Sequence, residues 1–200
     1  MRLKTEEKRK AIIAAAKGVF LERGYDAASM AEVSARVGGS KQTLYSYFCS
    51  KEELFVAVIL ETSVTLFQPL FANLSTDGDL PAALHDLAVS FLRLICQDEI
   101  VAYRRIMIAE GAKSSLGRRA FESGPEPGWK ALAEIFRRAM DEGRMRRTDP
   151  WRAVFHFVGL CNAGPPERLL EGAVEAVSDE ELVETAHSAI DVFVRAYEVR

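Results

Sequence analysis

The chemistry in this chain is concentrated in one short run, Ser40-Lys41-Gln42-Thr43-Leu44-Tyr45-Ser46-Tyr47-Phe48. Leu44 and Phe48, four residues apart, share the inward face of a short helix. Lys41, Gln42, Thr43, Tyr45 and Tyr47 are then turned outward. An ammonium, a carboxamide, hydroxyls and two polar-tipped rings are the groups that bond base edges and phosphates. Glutamine can meet adenine through two hydrogen bonds, and lysine can meet guanine. Lys41, Gln42 and Thr43 are therefore expected to face bases, and Tyr45, Tyr47 and the nearby Lys51 to grip phosphates.

Presenting these groups needs a rigid platform, and the preceding residues supply one. Ser29 is set to cap a helix, with Glu32 three residues on completing a capping box. Met30, Val33 and Val37 recur at helical spacing. Gly38-Gly39 marks a sharp turn, because glycine reaches left-handed conformations at little cost. Ser40 caps the second helix. Two short helices joined in this way form a helix-turn-helix, whose second helix enters the DNA major groove. Upstream, residues 5–23 predict a first helix, with Ile12, Ile13, Ala16, Val19 and Phe20 inward and Gly24 as its stop. Lys4, Lys8 and Lys10 lie at its leading end, within reach of phosphates.

The stretch from Ser29 to Phe48, followed at once by Cys49-Ser50-Lys51-Glu52-Glu53-Leu54, resembles the DNA-binding motif of TetR/AcrR-type transcriptional regulators. The match runs through Ser29, Val33, Gly38, Ser40, Thr43-Leu44-Tyr45, Tyr47-Phe48, Ser50-Lys51-Glu52 and Leu54. Two residues depart from it: Gly39 stands where a valine usually plugs the turn, and Ser34 replaces an alanine. Farther on, Ala109-Glu110, Arg119-Ala120-Phe121 and the late helices are similar to the C-terminal domain of the AefR-like subgroup. The resemblance implies a homodimeric, prokaryotic, cytoplasmic and nucleoid-associated regulator, most simply a repressor. Residues 1–50 would form the DNA-binding domain, holding a palindromic double-stranded operator. Residues 51–200 would form the ligand-binding and dimerisation domain, answering a small-molecule effector. An alternative of another class is a helical small-molecule-binding protein whose helix-turn-helix is vestigial or contacts protein.

Charge and composition agree with this division. The 200-residue chain carries a net charge of −3. Residues 1–51 hold ten Lys/Arg against five Asp/Glu, a net of +5, and residues 52–200 hold sixteen against twenty-four, a net of −8. A basic head on an acidic body directs only the head toward a polyanion. No run of eighteen apolar residues is present, so no membrane span is expected. The charged N-terminus lacks a signal-peptide core. Cys49, Cys96 and Cys161 are odd in number and far apart, which disfavours a disulfide framework or a structural zinc site. His85, His156 and His187 lack metal-ligand spacing, and there is no nucleophile elbow, P-loop or dinucleotide fingerprint. The expectation is a protein with no catalytic residues, metal or cofactor.

The remaining sequence predicts an all-α fold of about nine helices, with an N-terminal three-helix unit and a C-terminal helical domain. Ser50 with Glu53 opens a fourth helix, which continues through Leu54, Phe55, Val58, Ile59 and Val64 to Gln68-Pro69. A loop is expected at 70–79 around Asp77-Gly78, then helices at 79–97 and 98–113. A turn near 116–123 precedes a break at 124–128, and helices follow at 129–143, 151–161 and 179–198. The segment 151–161 is apolar on most sides and needs cover from more than one direction. It is either a monomer's central helix or part of a dimer seam, and the resemblance favours the seam. The expected interface is Trp151, Val154, Val158, Leu182, Ala186, Ala189, Ile190, Phe193 and Tyr197. The expected effector pocket is Phe91, Ile95, Tyr103, Met107, Trp129, Phe136, Phe155 and His156, with Tyr103 and His156 as its polar groups. An apolar or aromatic, neutral or weakly charged effector would suit it.

Overall fold

The computed structural model describes residues 5–72, 74, 78–111 and 113–199. Lys4 and Asp77, assigned above to phosphate contact and a turn, lie outside the described residues. The helices are α1 (Glu6–Ala27), α2 (Met30–Val37), α3 (Lys41–Tyr47), α4 (Lys51–Thr62), α5 (Gln68–Ala72), α6 (Leu80–Ile95), α7 (Asp98–Gly111), α8 (Leu116–Ser123), α9 (Pro125–Asp141), α10 (Pro150–Asn162), α11 (Pro165–Glu171) and α12 (Asp179–Tyr197). A π-helical turn, Ser63–Phe67, continues α4 into α5. No strand occurs among the described residues.

The helices outnumber the nine expected because several proline signals start helices here. Pro125 and Pro127 lie in the first turn of α9, and Pro165 and Pro166 open α11. Proline is tolerated there because first-turn N–H groups have no intrahelical acceptor. The break expected at 124–128 is thus mostly the beginning of α9, and the turn expected at 116–123 is α8. The π turn carries the backbone past Pro69, so the fourth helix does not end there. The run Lys51–Phe71 is long and apolar enough by composition to cross a membrane. The same composition suits a core helix, and Leu54, Phe55 and Val58 are almost wholly buried.

The chain forms two compact units. The first comprises Met1–Ser63 and Ala102–Gly124, and the second Val64–Val101 and Pro125–Arg200. In the first, α1 packs on α2 and α4, and α4 packs on α8. Its centre is a ring cluster: Phe55 meets Phe20 edge-on at 5.2 Å, Tyr25 at 5.3 Å and Tyr103 at 6.1 Å. The Lys113 ammonium bonds the Asp26 and Glu110 carboxylates at 3.3 and 2.8 Å, and Arg119 pairs with Glu52 at 2.8 Å. The segment Ala102–Gly124 is thereby fastened to residues of α1 and α4.

In the second unit α12 packs along α6 and α10, and α10 packs on α9. Phe193 lies at the centre, 5.4 Å from Phe136, 5.8 Å from Phe157 and 4.5 Å from Tyr197 between ring centroids. Helix α10 buries Ala153, Val154, Phe157 and Cys161 in its own chain's core. Burial pushes the Cys161 thiol up to about 12, so it packs as a neutral group.

Candidate nucleic-acid interface

The helix-turn-helix forms from the signals read in the sequence, with refinements. The Ser29 hydroxyl accepts the Glu32 N–H at 3.2 Å. The Glu32 carboxylate does not complete the expected capping box; it accepts from Arg23 at 3.1 Å instead. Gly38 adopts φ 66°, ψ 42°, the left-handed conformation that closes α2, and its N–H reaches the last carbonyls of that helix. Ser40 caps α3 through the Thr43 N–H at 3.0 Å, and its hydroxyl lies 2.9 Å from the Thr43 hydroxyl. Ser50 accepts the Glu53 N–H at 3.0 Å, while the Glu53 carboxylate accepts from Cys49, one residue before the cap, at 2.7 Å.

Long-range contacts fix α2 and α3 on α1. Arg36 grips the Glu22 carboxylate through two bonds of 2.8 and 2.6 Å. The Lys8 ammonium donates to the Val37 carbonyl at 3.4 Å, so this lysine closes the end of α2. Ser34 is buried and its hydroxyl donates to the Gly39 carbonyl at 2.8 Å. A position that reads as near-neutral in size therefore ties down the turn. Its signal in the sequence is a hydroxyl on the buried stripe of a short helix, where an apolar side chain would otherwise stand.

The DNA-facing residues separate into two groups. Lys41 and Gln42 are exposed and Tyr45 keeps 49% of its surface. They form the outer face of α3. Ser29 and Ser40 are engaged as caps, and Thr43 is held by the Ser40 cap through its N–H and hydroxyl. Tyr47 is half-buried, and its hydroxyl accepts the Thr5 N–H at 2.8 Å, joining the end of α3 to the start of α1. Lys51 departs furthest from expectation. Its ammonium donates to the carbonyls of Tyr25, Asp26 and Ala28 at 2.7, 3.2 and 3.2 Å, and stands 4.4 Å from the Tyr25 ring centre. Three carbonyls occupy its three N–H donors, so it closes the end of α1 beyond Gly24, where φ 72° and ψ 174° break the helix.

A model described as bacterial regulatory proteins of the tetR family matches residues 12–58, and one described as the AefR-like transcriptional repressor C-terminal domain matches residues 82–199. The chain belongs to the TetR family. A TetR-family regulator from Mesorhizobium loti superposes with a TM-score of 0.88 at 29% identity, over 98% of this chain and 100% of that one. The flavonoid-responsive regulator FrrA superposes with a TM-score of 0.78 at 30% identity, over 98% and 100%. The HTH-type transcriptional activator FasR of Mycolicibacterium smegmatis is 37% identical over 97 residues, 48% of this chain and 44% of FasR. The chain spans about half the length of the curated relatives it matches. Members of the TetR family are transcriptional regulators and not enzymes.

The residues of the expected effector and dimer sites of this TetR-family chain lie in several different settings. Of the effector set, Phe91, Ile95 and Phe136 are packed into the core of the second unit. Tyr103 and Met107 belong to the first unit, with Tyr103 against Phe55. Phe155 is 51% exposed between Trp129 and Trp151, each 5.8 Å away. His156 is exposed, with Nδ1 2.7 Å from the Tyr197 hydroxyl. The sequence supplied apolar residues at helical spacing, but not which of them share a wall.

Most of the expected dimer set is turned into its own chain. Val154, Leu182, Ala186, Ala189, Ile190, Phe193 and Tyr197 are buried within a single chain, and Trp151 and Val158 are half-buried. The strongest apolar stripe of a helix faces its own core first. The outward sides of α10 and α12 instead carry Phe155 and Val192, the latter 49% exposed. Among the described residues no group of three His, Cys, Asp or Glu is placed to hold a metal.

Gly39 yields a direct stability test. Its φ lies outside the left-handed region, and an added Cβ would meet only Lys8, at 3.8 Å from Nζ and 4.0 Å from Cε. Gly39→Val should therefore stabilise the chain by about 0.4–1 kcal/mol, largely by restricting its unfolded state. A lower melting temperature for the variant would contradict that account.

Proposed function

We propose that this TetR-family chain is a cytoplasmic, homodimeric repressor that holds a palindromic operator and releases it when an apolar or aromatic effector binds. The outer face of α3 carries the DNA half of the proposal. It presents Lys41, Gln42 and Tyr45 to solvent from a helix fixed at both ends, by Ser40 at the start and by the Tyr47–Thr5 bond near the finish. Side chains held on so short and firmly capped a helix lose little freedom when they meet a base edge.

The AefR-like match over residues 82–199 supports repression and an effector site in the C-terminal domain. FrrA, matched over almost the whole chain, is named for its response to flavonoids, which supports an aromatic effector. We place the dimer seam on the outward faces of α10 and α12, around Phe155 and Val192. Pairing there would set the two recognition helices about 34–36 Å apart, one turn of DNA.

Selection of bound sequences from random DNA, followed by anisotropy titrations over a range of salt, tests the DNA reading. The wild type should recover a palindrome and lose affinity steeply as salt rises. Gln42→Ala should reorder the preferred bases at one position per half-site, by about 1–3 kcal/mol, while leaving other positions alone. Unchanged ranking across all sites would remove Gln42 from base reading. Aromatic compounds titrated into the preformed complex should release the operator.

A further inference from the structure

A cleft of about 610 Å³ opens where the turn after α9 meets the C-terminal end of α12. A smaller hollow of about 200 Å³ adjoins it and shares Gly143, Met145, Glu198 and Val199. All the lining residues belong to the second compact unit. None of its lining residues belongs to the helix-turn-helix or to the expected effector set.

Two kinds of side chain meet in the cleft. Val199 supplies exposed apolar surface, while the largely buried Met140 and Met145 form the floor, and methionine is a side chain that adapts to ligands of irregular shape. Arg146, Arg147 and Arg195 stand around it, against one lining carboxylate, Glu198. Arg195 is neutralised by Asp191 at 3.0 Å, and Arg147 lies 3.7 Å from Asp141. Arg146 has no carboxylate partner among the described residues, and its guanidinium lies 5.7 Å from the Tyr197 ring centre. Its backbone N–H is fixed to the Tyr197 carbonyl at 2.8 Å, so the base of the side chain is anchored while its planar fork remains available.

We propose that this cleft is a binding site for a small amphipathic anion, with a carboxylate or sulfonate on Arg146 and Arg147 and an apolar body on Met140 and Met145. The volume is in the usual range for a small organic ligand, roughly 300–1,000 Å³. An arginine fork bonds a planar or tetrahedral oxyanion through two donors at once. A neutral molecule of the same shape would gain only the apolar contact. Its occupation joins the turn after α9 to the end of α12.

The probes are 2-naphthalenesulfonate and the neutral 2-naphthol, titrated calorimetrically into the full chain at neutral pH. The sulfonate should bind once per chain and at least tenfold more tightly than the naphthol. Raising salt should weaken the sulfonate alone. Arg146→Gln combined with Arg147→Gln alters two exposed side chains, and should bring the sulfonate down to the level of the naphthol with the melting temperature unchanged. Gln42→Ala should bind it like the wild type. Equal affinity for the two probes, the absence of saturable binding, or undiminished sulfonate binding in the double variant would each overturn the assignment. Should the double variant fold poorly, the comparison of probes and their salt dependence in the wild type still decides it. None of these readouts involves DNA, so failure here is distinct from failure of the regulator reading.

Discussion

Phe193→Ala should cost about 3–5 kcal/mol and melt the second unit well below the wild type. Phe193 is 1% exposed, and its ring contacts Phe136, Phe157 and Tyr197, so truncation leaves a cavity walled by three large aromatics. Phe193→Glu should do worse, because it also buries a carboxylate among the rings of Phe136, Phe157 and Tyr197. Neither variant should yield a folded monomer. The adjacent substitution Val192→Arg tests the seam itself: Val192 is 49% exposed, so a cation there is solvated in the single chain and costs little stability. It should split the proposed dimer while calorimetry still shows a wild-type transition. Sedimentation and calorimetry on both variants separate the two faces of α12. A folded, monomeric Phe193→Glu would mean that the core of the second unit is wrongly described.

The contrast between Phe193 and Val192 also explains what could be read in the sequence. Periodicity identifies the most apolar stripe of a helix, and in α12 that stripe runs through Leu182, Ala186, Ala189, Ile190, Phe193 and Tyr197. It does not say whether the stripe is covered by α6 and α10 of the same chain or by another molecule. The helix-turn-helix was legible because its determinants are local: Ser29 and Ser40 cap residues three positions away, and Gly38 sits where the backbone must turn left-handed. The helix formed by Pro125 to Asp141 was half legible, since prolines mark a boundary without telling its two sides apart. The surroundings of the effector set were not legible: Tyr103, separated from Phe55 by 48 positions, joins the ring cluster of the first unit. Nothing in the spacing of apolar residues encodes that choice.

Lys51→Ala should destabilise the first unit by about 1–3 kcal/mol and weaken operator binding through loss of the fold, with no simple change in the salt slope. A lysine that only touched phosphate would behave otherwise: its loss would leave stability intact and flatten the salt dependence by about one unit. The bonds to Tyr25, Asp26 and Ala28 favour the first of these outcomes. A carbonyl left without a partner when buried costs about 1–3 kcal/mol, and the Ala28 residue is only 4% exposed. The sequence did hold a hint. Lys51 is the first residue of α4, where the helix dipole opposes a cation. A lysine at that position needs compensation from elsewhere, and the carbonyls at the end of α1 provide it. Lys51→Met, which keeps most of the stem over the Tyr25 ring but removes the donors, should lose nearly as much stability as Lys51→Ala. Lys51→Arg should recover part of it. If Lys51→Met melts like the wild type and binds DNA with a reduced salt slope, the ammonium serves phosphate and the three carbonyl bonds are incidental.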